Sequence, residues 1–326
     1  MVKPWLLLPP KVAHDLSPLA LKFLSCFLAD KPHRCRSFQW RDLHFNNPLG
    51  IAGGVDKNAE QITAWYKLGC GFIEVGTITP QAQGPNPGKI MDRDLQSKAL
   101  WNKMGFPNKG LKSAAQQIRQ FALPHKIPLF ANIGKNRDTP LDNSSADYKQ
   151  CIHELEPVVD AFVINISSPN TKDLRKLLQP QHLKPFLIDV LSARKLARPT
   201  FLKLSPDLNN EVLHKILEVS VEANIDGWIF TNTTLHRPLN CHFPSEGGLS
   251  GQPLAEQAKF VLKKSIEFLG SARKDRLIIS AGGIMNTVDV QERLELGADL
   301  IQVYSALIFN GPFFFKNTLK ELCTEM

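Results

Sequence analysis

Leu49-Gly50-Ile51-Ala52-Gly53-Gly54-Val55, followed by Asp56-Lys57, is an apolar run that breaks into a glycine turn carrying charge. A doubly wound dinucleotide-binding sheet places a G-x-G-x-x-G turn at such a point, and Gly50-Ile51-Ala52-Gly53-Gly54 does not fit that spacing. Seven further apolar runs follow: Phe72 to Ile78, Leu129 to Gly134, Phe162 to Ser167, Thr200 to Leu204, Gly227 to Thr231, Leu277 to Ala281 and Leu300 to Tyr304. Helical patterns separate most of them, as at Asn209 to Ala223, Pro253 to Leu269 and Thr287 to Leu296. This alternation predicts an α/β protein, a closed (β/α)8 TIM barrel.

In that fold the chemistry gathers at the C-terminal ends of the strands. Those ends read Gly53-Gly54-Val55-Asp56-Lys57, Gly76-Thr77, Asn132, Asn165 with Ser167-Ser168, Lys203, Thr231-Asn232-Thr233, Gly282-Gly283 and Tyr304-Ser305. They carry no histidine and, apart from Asp56, hardly any carboxylate. Metal hydrolysis and paired-carboxylate glycoside cleavage are therefore not expected, and no metal site is predicted. Amides, hydroxyls, two lysines and glycine turns suit a planar polar heterocycle plus a phosphate. The small residues near the last two strands, including Gly251, Gly283, Tyr304 and Ser305, fit the usual phosphate position of a barrel.

The remaining features bound the class. The 326 residues carry a net charge of +8, which suits anionic ligands, acidic lipid or nucleic acid without choosing among them. Six cysteines stand at 26, 35, 70, 151, 241 and 323, none in a C-x-x-C pair; they read as small buried hydrophobes of a reducing compartment. No run of eighteen apolar residues is present, so no bilayer-spanning helix is expected. At the head, Ser17-Pro18 reads as a helix start, and Leu19, Leu21, Phe23, Leu24, Phe27 and Leu28 then cover more than one helix face. Two readings stay open: a terminal helix closing the barrel bottom, or an amphipathic element in a membrane interface.

Several strings together resemble the quinone-dependent (class 2) dihydroorotate dehydrogenase family: Asn47-Pro48-Leu49-Gly50 with Asp56-Lys57-Asn58, Glu74-Val75-Gly76-Thr77, Asn102-Lys103-Met104-Gly105-Phe106, Asn132-Ile133-Gly134-Lys135-Asn136, Asn165-Ile166-Ser167-Ser168-Pro169-Asn170-Thr171, Thr231-Asn232-Thr233-Thr234 and Gly248-Leu249-Ser250-Gly251. The resemblance implies oxidation of dihydroorotate to orotate with bound FMN and electron delivery to a membrane quinone. Ser168 is then the base, with a water relay near Thr171 and Phe106. Soluble relatives carry cysteine at that position. Lys57, Asn102, Lys103, Met104, Gly105, Phe106, Asn165, Asn170, Asn232 and Thr233 are the implied substrate contacts. Gly53, Gly54, Val55, Asp56, Lys57, Thr77, Asn132, Asn165, Lys203, Thr231, Gly251, Gly283, Tyr304 and Ser305 are the implied FMN contacts, Lys203 lying near the N1 and O2 edge.

The same resemblance makes residues 1–40 a helical membrane-associating unit with a quinone tunnel lined by His14 and Arg93, and residues 41–326 the FMN-binding barrel. It implies a monomer lying on anionic lipid, peripheral to the cytoplasmic face of a bacterial-type inner membrane, with no nucleic-acid partner. Ile90 and Asp92 stand where relatives carry an arginine and an aromatic, so the quinone side departs from the family pattern. The alternatives are other FMN-dependent barrel oxidoreductases: a soluble dihydroorotate oxidase, or an RNA uridine reductase.

Overall fold

The computed structural model describes residues 3–121 and 127–324. The chain enters through helix α1 (Pro10–Ser25) and a hairpin of β1 (Phe38–Trp40) and β2 (Leu43–Phe45). The eight apolar runs then form β3 (Leu49–Asp56), β4 (Phe72–Ile78), β7 (Leu129–Ile133), β8 (Ala161–Asn165), β9 (Thr200–Leu204), β10 (Gly227–Phe230), β12 (Leu277–Ala281) and β13 (Leu300–Val303). All neighbouring pairs are parallel and β13 returns to β3, closing the barrel. Between and after these strands run α2 (Ile62–Leu68), α3 (Leu111–Gln120), α4 (Ser144–Leu155), α5 (Pro180–Leu191), α6 (Asn210–Glu222), α7 (Ala255–Leu269), α8 (Thr287–Glu295), α9 (Ser305–Asn310) and α10 (Phe314–Thr324). Helix α8 starts where it does because the Asn286 side chain accepts from the Asp289 N–H while Asp289 returns the bond, a reciprocal cap.

Seven of the barrel strands are buried along their whole length, which is why they read as continuous rather than alternating apolar runs. Phe72, Phe130 and Phe201, near the strand starts, fill the lower interior. Phe45 of the hairpin packs edge-on to Phe72 and Phe130 beneath them. The bottom is thus closed by the β1–β2 hairpin, not by the N-terminal helix. At the opposite end β5 (Met91–Asp94), β6 (Ala99–Asn102) and β11 (Gly248–Gly251) make a small antiparallel sheet over the barrel mouth.

The head differs from expectation at two further points. Helix α1 begins at Pro10, so Pro18 lies inside it. Proline at 18 cannot donate to the His14 carbonyl four residues back, but the Ser17 hydroxyl does so at 2.8 Å, and the helix runs on. The cysteines are not all lone buried groups. Cys26 is exposed, and Cys35 is bonded to Cys323 across 288 residues. Tertiary folding, invisible to local spacing, brings the segment before the hairpin against α10. Among the described residues no helix is long and apolar enough to cross a membrane.

Candidate active site

A cleft opens at the C-terminal ends of the strands. Its wall combines Gly53, Gly54 and Lys57 from the β3 turn, Thr77 from β4, Asn165 with Ser168 and Asn170 after β8, and Lys203 from β9. Thr231, Asn232 and Thr233 follow β10, Gly283 follows β12, and Tyr304 and Ser305 follow β13. Asn102, Met104, Gly105 and Phe106 hang from the small sheet above. Seven of the eight strands and one superimposed sheet thus deliver to one place residues spread from 53 to 305.

The floor is a chain of amides anchored on a carboxylate. Glu74, fully buried, accepts from Asn132 Nδ2 at 2.6 Å and Lys203 Nζ at 3.2 Å on one oxygen, and from Gln302 Nε2 at 2.5 Å on the other. Asn132 Oδ1 in turn accepts from Asn165 Nδ2, and Asn165 Oδ1 accepts from Asn232 Nδ2. A side chain at Gly53 would lie 2.2 Å from Glu74 Oε1, so glycine there lets the backbone ride directly over this floor. On the rim Asn170 Nδ2 donates to Asn102 Oδ1 at 2.8 Å. Ser168, nearly buried, accepts the Asn170 N–H on its Oγ at 3.2 Å. A donor aimed at that oxygen favours negative charge developing on it.

Lys57 donates to the Gly54 carbonyl at 2.8 Å and lies 3.4 Å from His14 Nε2 of α1. Burial, the main cause, lowers Lys57 to about 8. Burial followed by the Lys57 charge lowers His14 to about 4, so at neutral pH its imidazole is uncharged. Asn170 Oδ1 and Gln302 Oε1 on the cleft wall, and Thr171 Oγ1 next to Asn170 in the chain, are buried without a protein partner. Burying such atoms unpaired is unfavourable, so they mark where a ligand or water completes the bonding.

Other expected site residues do not line the cleft. Asn132 stands one shell back in the floor, and Asp56 accepts the Glu60 and Gln61 N–H groups ahead of α2. Burial raises Asp56 to about 6. Val55 adjoins it on the same turn. Lys103 points outward to Glu246 at 2.8 Å, and Gly251 (φ 87°) turns the chain against the Lys98 carbonyl. Arg93 donates to the carbonyls of Trp5, Leu6 and Leu8 and so pins the head to β5. Neither it nor His14 reaches the cleft wall. Asp92 accepts the Arg93 N–H and pairs with Lys89. Conversely, Glu74 and Gln302 escaped notice as site residues. Each interrupts an apolar strand run, Glu74 as the lone charge of β4 and Gln302 as the lone polar residue of β13, but the partners that give them a role come from other strands.

Fold and cleft together define a (β/α)8-barrel enzyme with its site at the C-terminal ends of the strands. A family model described as dihydroorotate dehydrogenase matches residues 37–326. Among curated relatives, the chain is 41% identical over 289 residues to dihydroorotate dehydrogenase (quinone) of Thermus thermophilus, covering 86% of this chain and 81% of that one. It is 38% identical over 332 residues to the Nitrosomonas europaea protein of the same name, covering 98% and 95%. Among solved structures, DHODH from Eimeria tenella in complex with ferulenol superposes with a TM-score of 0.85 at 32% identity, covering 97% of this chain and 91% of that one. The chain belongs to the dihydroorotate dehydrogenase family.

Proposed function

We propose that this enzyme oxidises (S)-dihydroorotate to orotate in pyrimidine synthesis, with FMN as resident cofactor and a membrane quinone as final acceptor. The observation that carries the reading is Ser168. A nearly buried hydroxyl sits in the cleft wall, its oxygen held by the Asn170 N–H, among four asparagines. The residues fit FMN: Gly53, Gly54, Thr77 and Thr231 border the ring region, Lys203 supplies charge, and Gly283, Tyr304 and Ser305 supply a neutral phosphate corner. Gln302 Oε1, buried and unpaired, adds an acceptor for a ring N–H. Bound FMN supplies a hydride acceptor for C6 of the substrate and a two-electron donor for the quinone.

Ser168 Oγ removes the C5 proton and hands it on by way of Thr171, whose hydroxyl is buried without a protein partner. Asn102, Asn165, Asn170 and Asn232 offer both donors and acceptors to the substrate's alternating amides, and Lys57 holds its carboxylate. The head, residues 1–40, lies on anionic lipid at the cytoplasmic face of the membrane, with His14 and Arg93 on the quinone side. The barrel, residues 41–326, acts as a monomer and binds no nucleic acid.

Purified protein is expected to be yellow, to bleach anaerobically with dihydroorotate, and to regain colour with a quinone but not with fumarate or NAD. Ser168→Ala keeps FMN and slows bleaching by at least about a hundredfold, as for loss of a general base. Folded protein that takes up no FMN, or a Ser168→Ala variant that bleaches at the normal rate, defeats the reading.

A further inference from the structure

The phosphate corner poses an electrostatic question. A phosphate monoester is strongly anionic near neutral pH, yet Ser250, Gly283, Tyr304 and Ser305 carry no positive charge. The two ammonium groups on the cleft wall are engaged elsewhere, Lys203 with Glu74 and Lys57 with the Gly54 carbonyl. Directly behind the corner lies Arg293 of α8, only 2% exposed. Its Nη2 donates to the Ala255 carbonyl at 2.6 Å and the Gly282 carbonyl at 3.3 Å. Its Nη1 is buried with no protein partner.

Arg293 also makes no direct ion pair: among the described residues no carboxylate lies within ion-pair distance of it. Asp289, held in the α8 cap, and Glu256 and Glu292, which share Lys259, attract it only from further off. Burial lowers the guanidinium only to about 10, so it keeps its charge at neutral pH. The turn it touches is tight. Gly282 and Gly283 both have positive φ, and a side chain at Gly283 would lie 2.2 Å from Ala255 Cα. A buried, unpaired charge is unfavourable by itself, which a neighbouring anion reverses.

We propose that Arg293 is the buried counter-charge of the phosphate corner, a positioning residue that acts through the Gly282–Gly283 turn and through its field. The assignment rests on the FMN reading of the cleft and adds the source of selectivity for the phosphorylated flavin. The full chain, stripped of flavin, is titrated with FMN and with riboflavin, which lacks the phosphate, by flavin fluorescence. In Arg293→Gln the FMN Kd rises about tenfold or more, equivalent to about 1.4 kcal/mol, while the riboflavin Kd changes less than twofold. Arg293→Lys, which keeps the charge, retains most of the preference for FMN. Equal weakening toward both flavins makes Arg293 a mere brace and overturns the proposal, as does no change in either, or a Lys variant as unselective as the Gln variant. If the Gln variant does not fold, the Lys variant decides: a preserved preference supports the assignment and a lost one defeats it. A wild-type chain that binds neither flavin defeats the FMN reading instead.

Discussion

Lys57 shows how burial sets up a pH dependence. Its folded value of about 8, against an ordinary 10.5, means the fold disfavours the ammonium form. Stability from the neutral form is fully present above 10.5 and lost as pH falls through 8, so at pH 7 a buried charge awaits a partner. On the proposed function, a substrate carboxylate supplies it. Orotate binding, followed by the shift in flavin absorbance, therefore weakens about tenfold from pH 7 to pH 9, because only the protonated lysine binds well. Lys57→Met binds orotate weakly and without that pH dependence; a flat wild-type profile rejects Lys57 as the carboxylate partner. Much at this scale was legible from sequence, since Ser168 and the asparagines sit at strand ends where barrel chemistry collects. Glu74 was not, because its role depends on three donors from β7, β9 and β13 that only the closed barrel brings together.

Helix α1 carries two apolar faces with different fates. Leu21 and Leu24, with Leu28 just beyond, pack toward the core, while Leu16, Leu19, Phe23 and, past the helix end, Phe27 point outward, the last three about 70% exposed. The outward set is spaced three and four residues apart, one stripe on a helix, and Phe23 and Phe27 touch edge to face. A wet apolar stripe of this kind marks a contact surface. Its excess was readable in the sequence. Its position was not, because packing on α2 and the bonds from Arg93 set the helix beside the barrel mouth rather than beneath the barrel. Replacing Leu19, Phe23 and Phe27 together with serine removes little packing beyond the Phe23–Phe27 ring contact. Melting temperature and bleaching by dihydroorotate are expected to stay unchanged, while sedimentation with anionic vesicles and reduction of long-chain quinones fall at least about fivefold, as loss of buried apolar area requires. Unaltered vesicle binding transfers the membrane contact to another surface.

Across the whole molecule, the barrel divides its labour along its axis: polar chemistry above, aromatic packing below. The eight strands were legible because they are mostly apolar, seven of them being buried along their whole length. The hairpin beneath them was not, since its two three-residue strands are too short to show a period and act through packing: Leu43, Phe38, Trp40 and, at the centre, Phe45. That ring is fully buried against Phe72 and Phe130, at the strand starts and away from the cleft. Phe45→Ala opens a cavity that these aromatic neighbours fill only in part, so unfolding free energy is expected to fall by about 3–5 kcal/mol, the usual range for a buried Phe. The FMN spectrum, orotate binding and bleaching rate of the folded fraction stay as in the wild type, because the floor network hangs on Glu74 and not on the plug. Chemical denaturation beside stopped-flow reduction tests both halves. A variant that keeps its stability denies the hairpin its role as closure, and one that loses orotate binding while still folded shows that bottom and mouth are coupled through the strands.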